Sequence, residues 1–205
     1  MTISLNQVGK RFNYDWIFRR VTATFERGGR YAILGSNGSG KSTLLQVISG
    51  HLHHNEGTIQ YQTPEKSIGN DAFFRYFALS APYQELVEEF TLAECIDFHL
   101  KFKTFLPGIT IQQAVAAVGL EKAMDKQIRY FSSGMKQRIK LSLAIFSDVP
   151  VLLLDEPCTN LDAAGVAIYQ QLLRDHLGER LLIVSSNDEQ EYFLCEQHIH
   201  IQDYK

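Results

Sequence analysis

Residues 35–43 read Gly35-Ser36-Asn37-Gly38-Ser39-Gly40-Lys41-Ser42-Thr43, and no other run constrains the chain as tightly. Two glycines five positions apart, followed by Lys and Ser, make the phosphate-loop pattern. Glycines let the backbone turn so that successive N–H groups point at phosphate oxygens. In that pattern Lys41 lies along the β- and γ-phosphates as a point charge, and the Ser42 hydroxyl ligates Mg²⁺. The apolar residues 31–34 ahead of the loop read as a buried strand, and 43–48 behind it as a helix. That order sets the anion at a helix N-terminus, where the backbone dipole favours negative charge. The spacing predicts a nucleoside triphosphate as ligand.

A chain of 205 residues has room for one large domain or two small subdomains with a real core. Its net charge of −3 gives no basic excess of the kind that a nucleic-acid binder needs, so no nucleic-acid partner is expected. Cys95, Cys158 and Cys195 lack metal-ligand spacing and read as reduced thiols in a cytosolic protein. Residues 1–6 lack the charged-then-apolar pattern of a signal peptide. No apolar run approaches the ~20 residues that span a bilayer, so work at a membrane is expected to pass through a partner.

Residues 3–8 and 21–26 alternate apolar and polar, as in two half-exposed antiparallel strands. Arg19 and Arg20 read as a turn, and residues 27–30 as the turn into the buried strand. Gly50 ends the first helix, strand character resumes at 56–61, and 73–78 reads as a further strand. From Thr91 to about Ala144 the pattern is helical, interrupted at Pro107-Gly108. Residues 151–154 and 181–184 are continuous apolar runs, as in a sheet covered on both faces. The expected layout is a single α/β domain over 1–205, with a core of about 1–84 and 145–205 and a helical subdomain of about 85–144. His51, His53 and His54 read as a solvated turn, and His198 and His200 as the wet face of an edge strand.

The strand at 151–154 ends in Asp155 and Glu156. A carboxylate at the end of a central strand, beside a phosphate loop, can hold Mg²⁺. A second one immediately after it can reach an attacking water as general base. With these residues in place, the chain resembles the nucleotide-binding subunit of an ATP-binding cassette (ABC) transporter over essentially its whole length. Residues 35–43 match the family's Walker A loop, and 151–155 match Walker B with Glu156 as the catalytic glutamate. Asp162, in Asn160-Leu161-Asp162, stands at the D-loop. Phe12 holds the place of the aromatic that stacks on adenine, with Tyr14 or Trp16 as substitutes. Ser132-Ser133-Gly134 occupies the signature loop, usually Leu-Ser-Gly-Gly-Gln. Here Phe131, Ser133 and Met135 replace Leu, the first Gly and Gln, while the Ser and the second Gly persist.

Two departures stand out. Asn187 takes the place of the switch histidine; it can donate a hydrogen bond but cannot carry a proton near neutral pH. Gln84 lies close to the glutamine-loop position of a Mg²⁺ ligand, although counting back from Phe90-Thr91 puts Pro82 there. The resemblance implies a P-loop NTPase core with an antiparallel β subdomain and a helical insertion, binding ATP and Mg²⁺. It also implies a head-to-tail homodimer with two nucleotides between the subunits, and a transmembrane permease partner that holds the chain at the cytoplasmic face of the membrane. The lack of a regulatory extension leans toward export. Two other readings share these residues: a soluble ABC ATPase acting on a cytosolic assembly, and a nucleotide-binding module with little turnover, which Asn187 favours.

Overall fold

The alternation near the start of the chain builds a long hairpin. In the computed structural model, which describes residues 1–205, β1 (Thr2–Phe12) pairs antiparallel with β2 (Asp15–Phe25), placing Ile3 opposite Phe25 and Val8 opposite Val21. All four side chains are buried. β3 (Arg30–Leu34) leads through the glycine-rich loop to α1 (Lys41–Ile48). β4 (Glu56–Gln62), β5 (Ser67–Ile68), α2 (Asn70–Phe73) and β6 (Phe77–Ser80) follow. Next come α3 (Leu92–Leu100), α4 (Ile111–Ala116) and α5 (Ser133–Phe146). The chain finishes with β7 (Val151–Asp155), α6 (Ala163–His176), β8 (Leu181–Ser185), β9 (Gln197–His200) and a 3-10 turn over Ile201–Tyr204.

Two compact units result. The first comprises Met1–Phe77, Pro150–Asp155 and Glu179–Lys205. It holds the antiparallel sheet, ordered β2-β1-β4-β5, and most of a five-stranded sheet ordered β6-β7-β8-β3-β9. β7 and β8 pair in parallel with every residue buried, as continuous apolar runs require when both faces are covered. β9 pairs in parallel with β3 at the sheet edge, and its His198 and His200 are exposed. α1 packs on β7 and β8 through the face that carries Leu44, Leu45, Val47 and Ile48. The three cysteines form no disulfide, and burial pushes the pKa of the Cys195 thiol up to about 12.

Two stretches fold otherwise than their sequence implies. Residues 73–78 are not one strand: α2 ends at Phe73, and β6 starts only at Phe77. The ring of Phe73 stacks on Tyr61 at 3.8 Å and lies 5.0 Å from that of Phe77. A continuous strand would put Arg75 on the same face, between those two buried rings. The helical turn leaves Arg75 exposed instead. Arg19 and Arg20 belong to β2 rather than to a turn, because the hairpin reverses at Asn13, whose φ is 53°. Arg19 lies over Trp16 at 4.2 Å and pairs with Glu56 at 2.6 Å.

The second unit comprises Ala78–Val149 and Glu156–Gly178. Its α3 and α4 begin with capping boxes at Thr91 with Glu94 and at Thr110 with Gln113. α5 packs against α4 and α6, and Ser142 Oγ donates to Ala114 O at 2.8 Å. No helix in either unit is long and apolar enough to cross a membrane.

His99 lies 2.9 Å from Ser147 Oγ, and burial, aided by the nearby Lys103 charge, pushes its pKa down to about 4. The unfolded chain therefore takes up a proton first, and the stability that neutral His99 supplies is complete above about pH 6.5 and lost as pH falls toward 4. His99→Gln should remove about 2 kcal/mol of the difference in unfolding free energy between pH 7 and pH 5, measured by urea denaturation.

Candidate nucleotide-binding site

The loop 35–40 joins the end of β3 to the start of α1. No side chain caps that helix: Gly40 stands at the N-cap with φ 106°, a left-handed conformation that a Cβ would strain. The N–H groups of the first turn have no intrahelical acceptor, and the helix dipole adds positive potential beside them. Lys41 is only 5% exposed, and its ammonium donates to Gly35 O at 2.8 Å and Ser36 O at 3.3 Å. The Ser39 hydroxyl is buried with no hydrogen-bond partner, an unusual state for a loop oxygen and one that a polar ligand would resolve.

Asn187 follows β8 and reaches the same loop, where its Oδ1 accepts the Gly35 N–H at 3.0 Å. A backbone N–H can only donate, so the amide oxygen must face the loop, leaving the NH₂ group on the other side of the carboxamide as a donor. Asp155 ends β7 and is 1% exposed, in register with Ser185 of β8, whose hydroxyl is buried and unpartnered. A carboxylate buried to this degree needs compensating donors or positive charge. Hard oxygen donors from Ser42 and Asp155 fit Mg²⁺ in chemistry.

Among the three aromatic candidates of the hairpin, Phe12 is 48% exposed, with Lys10 Nζ 4.9 Å from its ring centre. Tyr14 is 91% exposed at the tip. Trp16 already stacks with the guanidinium groups of Arg11 and Arg19. The first unit thus carries residues 35–43, Phe12, Asp155 and Asn187.

The second unit carries the remaining candidates. Ser132 is the N-cap of α5, and its Oγ accepts the Met135 N–H at 3.2 Å. Ser133 and Gly134 form the first turn, and a methyl on Gly134 would approach Asn160 O to 3.1 Å. Asp162 caps α6, accepting the Gly165 N–H at 2.8 Å. Glu156 has φ 41°, a conformation rarely adopted by a residue with a side chain and often found at functional positions. Gln84 turns back on its own loop, where its Oε1 accepts the Ala81 N–H at 3.1 Å, and Pro82 is exposed. Lys140 reaches Ala81 O at 2.9 Å, and burial lowers its pKa.

Sequence patterns gave no hint of two further polar residues at the loop. Gln202 Nε2 donates to Ser36 Oγ at 3.3 Å, and Lys205 Nζ donates to Ser39 O at 2.8 Å. The available signal was topological: β9 parallels β3 with His200 opposite Leu34, so residues 35 and 201 leave the sheet side by side.

The family model described as ABC transporter matches residues 18–159. Over 198 residues the chain is 31% identical to YybJ of Bacillus subtilis (strain 168), an uncharacterised ABC transporter ATP-binding protein, covering 95% of this chain and 89% of that one. It is 30% identical to the cytochrome c biogenesis ATP-binding export protein CcmA of Agrobacterium fabrum, covering 91% of this chain and 88% of that one. The fold matches the dimeric bacterial ABC transporter cassette MJ0796 with a TM-score of 0.79 at 22% identity, over 97% of this chain and 94% of that one.

The two inner glycines of the loop differ in what surrounds them. A methyl on Gly38, at φ 75°, meets open space, whereas one on Gly40 would lie 2.5 Å from Ile17 Cγ2. Gly38→Ala should cost about 1 kcal/mol, from backbone strain alone. Gly40→Ala should cost about 3 kcal/mol, with strain and overpacking combined, and urea denaturation of the two variants checks the order.

Proposed function

Because this chain belongs to the ABC transporter family, as one of its ATP-binding proteins, we propose that it hydrolyses Mg-ATP to drive separate membrane-spanning subunits. The carrying observation is the loop itself: an uncapped helix N-terminus, a buried lysine turned onto the loop carbonyls, and Asn187 fastened to Gly35. In this reading the N–H groups of 35–43 and the Lys41 ammonium bind the triphosphate, and Phe12 stacks on adenine. Ser42 and Asp155 would hold Mg²⁺, which would supply positive charge against the phosphate oxygens. Gln84 has its amide oxygen engaged with Ala81, so as a Mg²⁺ ligand it would first have to give up that hydrogen bond.

Glu156 orients and deprotonates the attacking water. The unprotonatable Asn187 offers its NH₂ group to a phosphate oxygen or to that water. Ser132 and Gly134, at the N-terminus of a 14-residue helix, supply a hydroxyl and a backbone N–H to the γ-phosphate bound by a second copy of the chain. Asp162 borders that shared site. The dimeric state of the MJ0796 cassette supports this arrangement. Closing and opening of the dimer then moves the transmembrane partner, on whose cytoplasmic side the chain sits. Export is the direction we propose, in keeping with the CcmA relative, an ATP-binding export protein.

Glu156→Gln separates binding from turnover. Phosphate release by the complex with its membrane partner should fall at least about 100-fold, with ATP affinity unchanged. Equal release from the variant and the native protein would contradict the hydrolytic reading.

A further inference from the structure

The residues that follow β9 close over the glycine-rich loop at three separate points. Ile201 is fully buried, and a methyl on Gly35 would lie 2.6 Å from its Cγ2. Gln202 Nε2 donates to Ser36 Oγ at 3.3 Å. Lys205 Nζ donates to Ser39 O and to Ile17 O, both at 2.8 Å, tying the loop to β2. We propose that residues 201–205 hold the loop in its anion-binding shape, with Lys205 as a positioning residue for the phosphates of the nucleotide. The proposal rests on the reading of residues 35–43 as the phosphate-binding loop.

The electrostatic reason lies in the peptide units. Ser39 O and the Gly40 N–H are opposite ends of one peptide, so an ammonium on the carbonyl polarises the unit and strengthens its N–H as a donor. Lys41 acts in the same way on the Gly35 and Ser36 carbonyls. Two cations therefore occupy loop carbonyls and favour the opposing N–H dipoles toward an anion. The mechanical reason is the bridge between Ile17 and Ser39. Ile17 already abuts Gly40, and Lys205 fixes the distance between β2 and the loop at that contact. Lys205 touches no reacting atom, so its contribution falls on affinity rather than on the rate at saturation.

The test titrates ATP, ADP and adenosine into the native protein and into Lys205→Met, Lys205→Arg and Lys41→Ala. It also measures the nucleotide-free Tm of each and the saturating ATPase rate of the complex with its partner. Lys205→Met should weaken ATP and ADP alike by about tenfold and leave adenosine unaffected. Its saturating rate should stay within about twofold of native. Its nucleotide-free Tm should move by less than about 2 °C, and Lys205→Arg should recover the affinity to within about threefold. Native ATP and ADP affinity in Lys205→Met, with both lost in Lys41→Ala, overturns the role of Lys205 and leaves the loop reading standing. Undiminished affinity in Lys41→Ala overturns the loop reading itself. A loss in Lys205→Met that is equal for adenosine, or that Arg fails to restore, marks a general structural defect and also overturns the proposal.

Discussion

A helix that starts without a side-chain cap, directly behind a glycine-rich loop, is the constraint on which the first unit depends. Its first N–H groups need acceptors that the protein does not provide from a side chain, and Gly40 at φ 106° keeps a Cβ out of the approach. The surrounding residues serve that arrangement. Lys41 spends its ammonium on Gly35 and Ser36, Asn187 accepts from Gly35, and Lys205 holds Ser39 against β2. Each contact engages a backbone group of the loop, so the loop's shape comes from its neighbours as well as from its glycines. Three parallel strands supply the neighbours: β3 enters the loop, β8 delivers Asn187, and β9 delivers residues 201–205.

The parts legible in the sequence were those whose signal is local. Fully apolar runs gave β7 and β8, and alternation gave the β1–β2 hairpin, because burial on two faces or on one writes directly into residue order. The loop was legible because phosphate binding needs particular residue types at fixed spacing. What escaped was set by tertiary contacts. Phe73 stacks on Tyr61 and Phe77 packs against Phe73, and the helical turn between the two phenylalanines leaves Arg75 outside. Arg19 looked like turn chemistry, yet Trp16 and Glu56 hold it inside a strand. Lys205 lies 164 positions from Lys41, and only the pairing of β9 with β3 brings it to the loop.

In the second unit, the local caps fall on residues to which we assign functional roles. Ser132 caps α5 through the hydroxyl that we assign to a phosphate, and Asp162 caps α6 at the D-loop position. A capping serine accepts one N–H and retains its own O–H to donate, so the two roles are compatible. Glu156 adds a strained backbone at the residue assigned to base catalysis. The departures from the family pattern are compact substitutions. In the site that we propose, Pro82 with a self-bonded Gln84, and Asn187 in place of a titratable histidine, would alter ligand and proton chemistry, while the loop 35–43 keeps its full motif.

We propose a site shared between two copies of the chain, in which the loop of one meets Ser132 and Gly134 of the other. The most direct test is the solution mass of Glu156→Gln by light scattering, with Mg-ATP and with Mg-ADP. ATP should give twice the mass of one chain and ADP a single chain, and Ser132→Arg should reverse the ATP effect. The same mass with both nucleotides, or an ATP-dependent dimer indifferent to Ser132→Arg, would contradict the shared site.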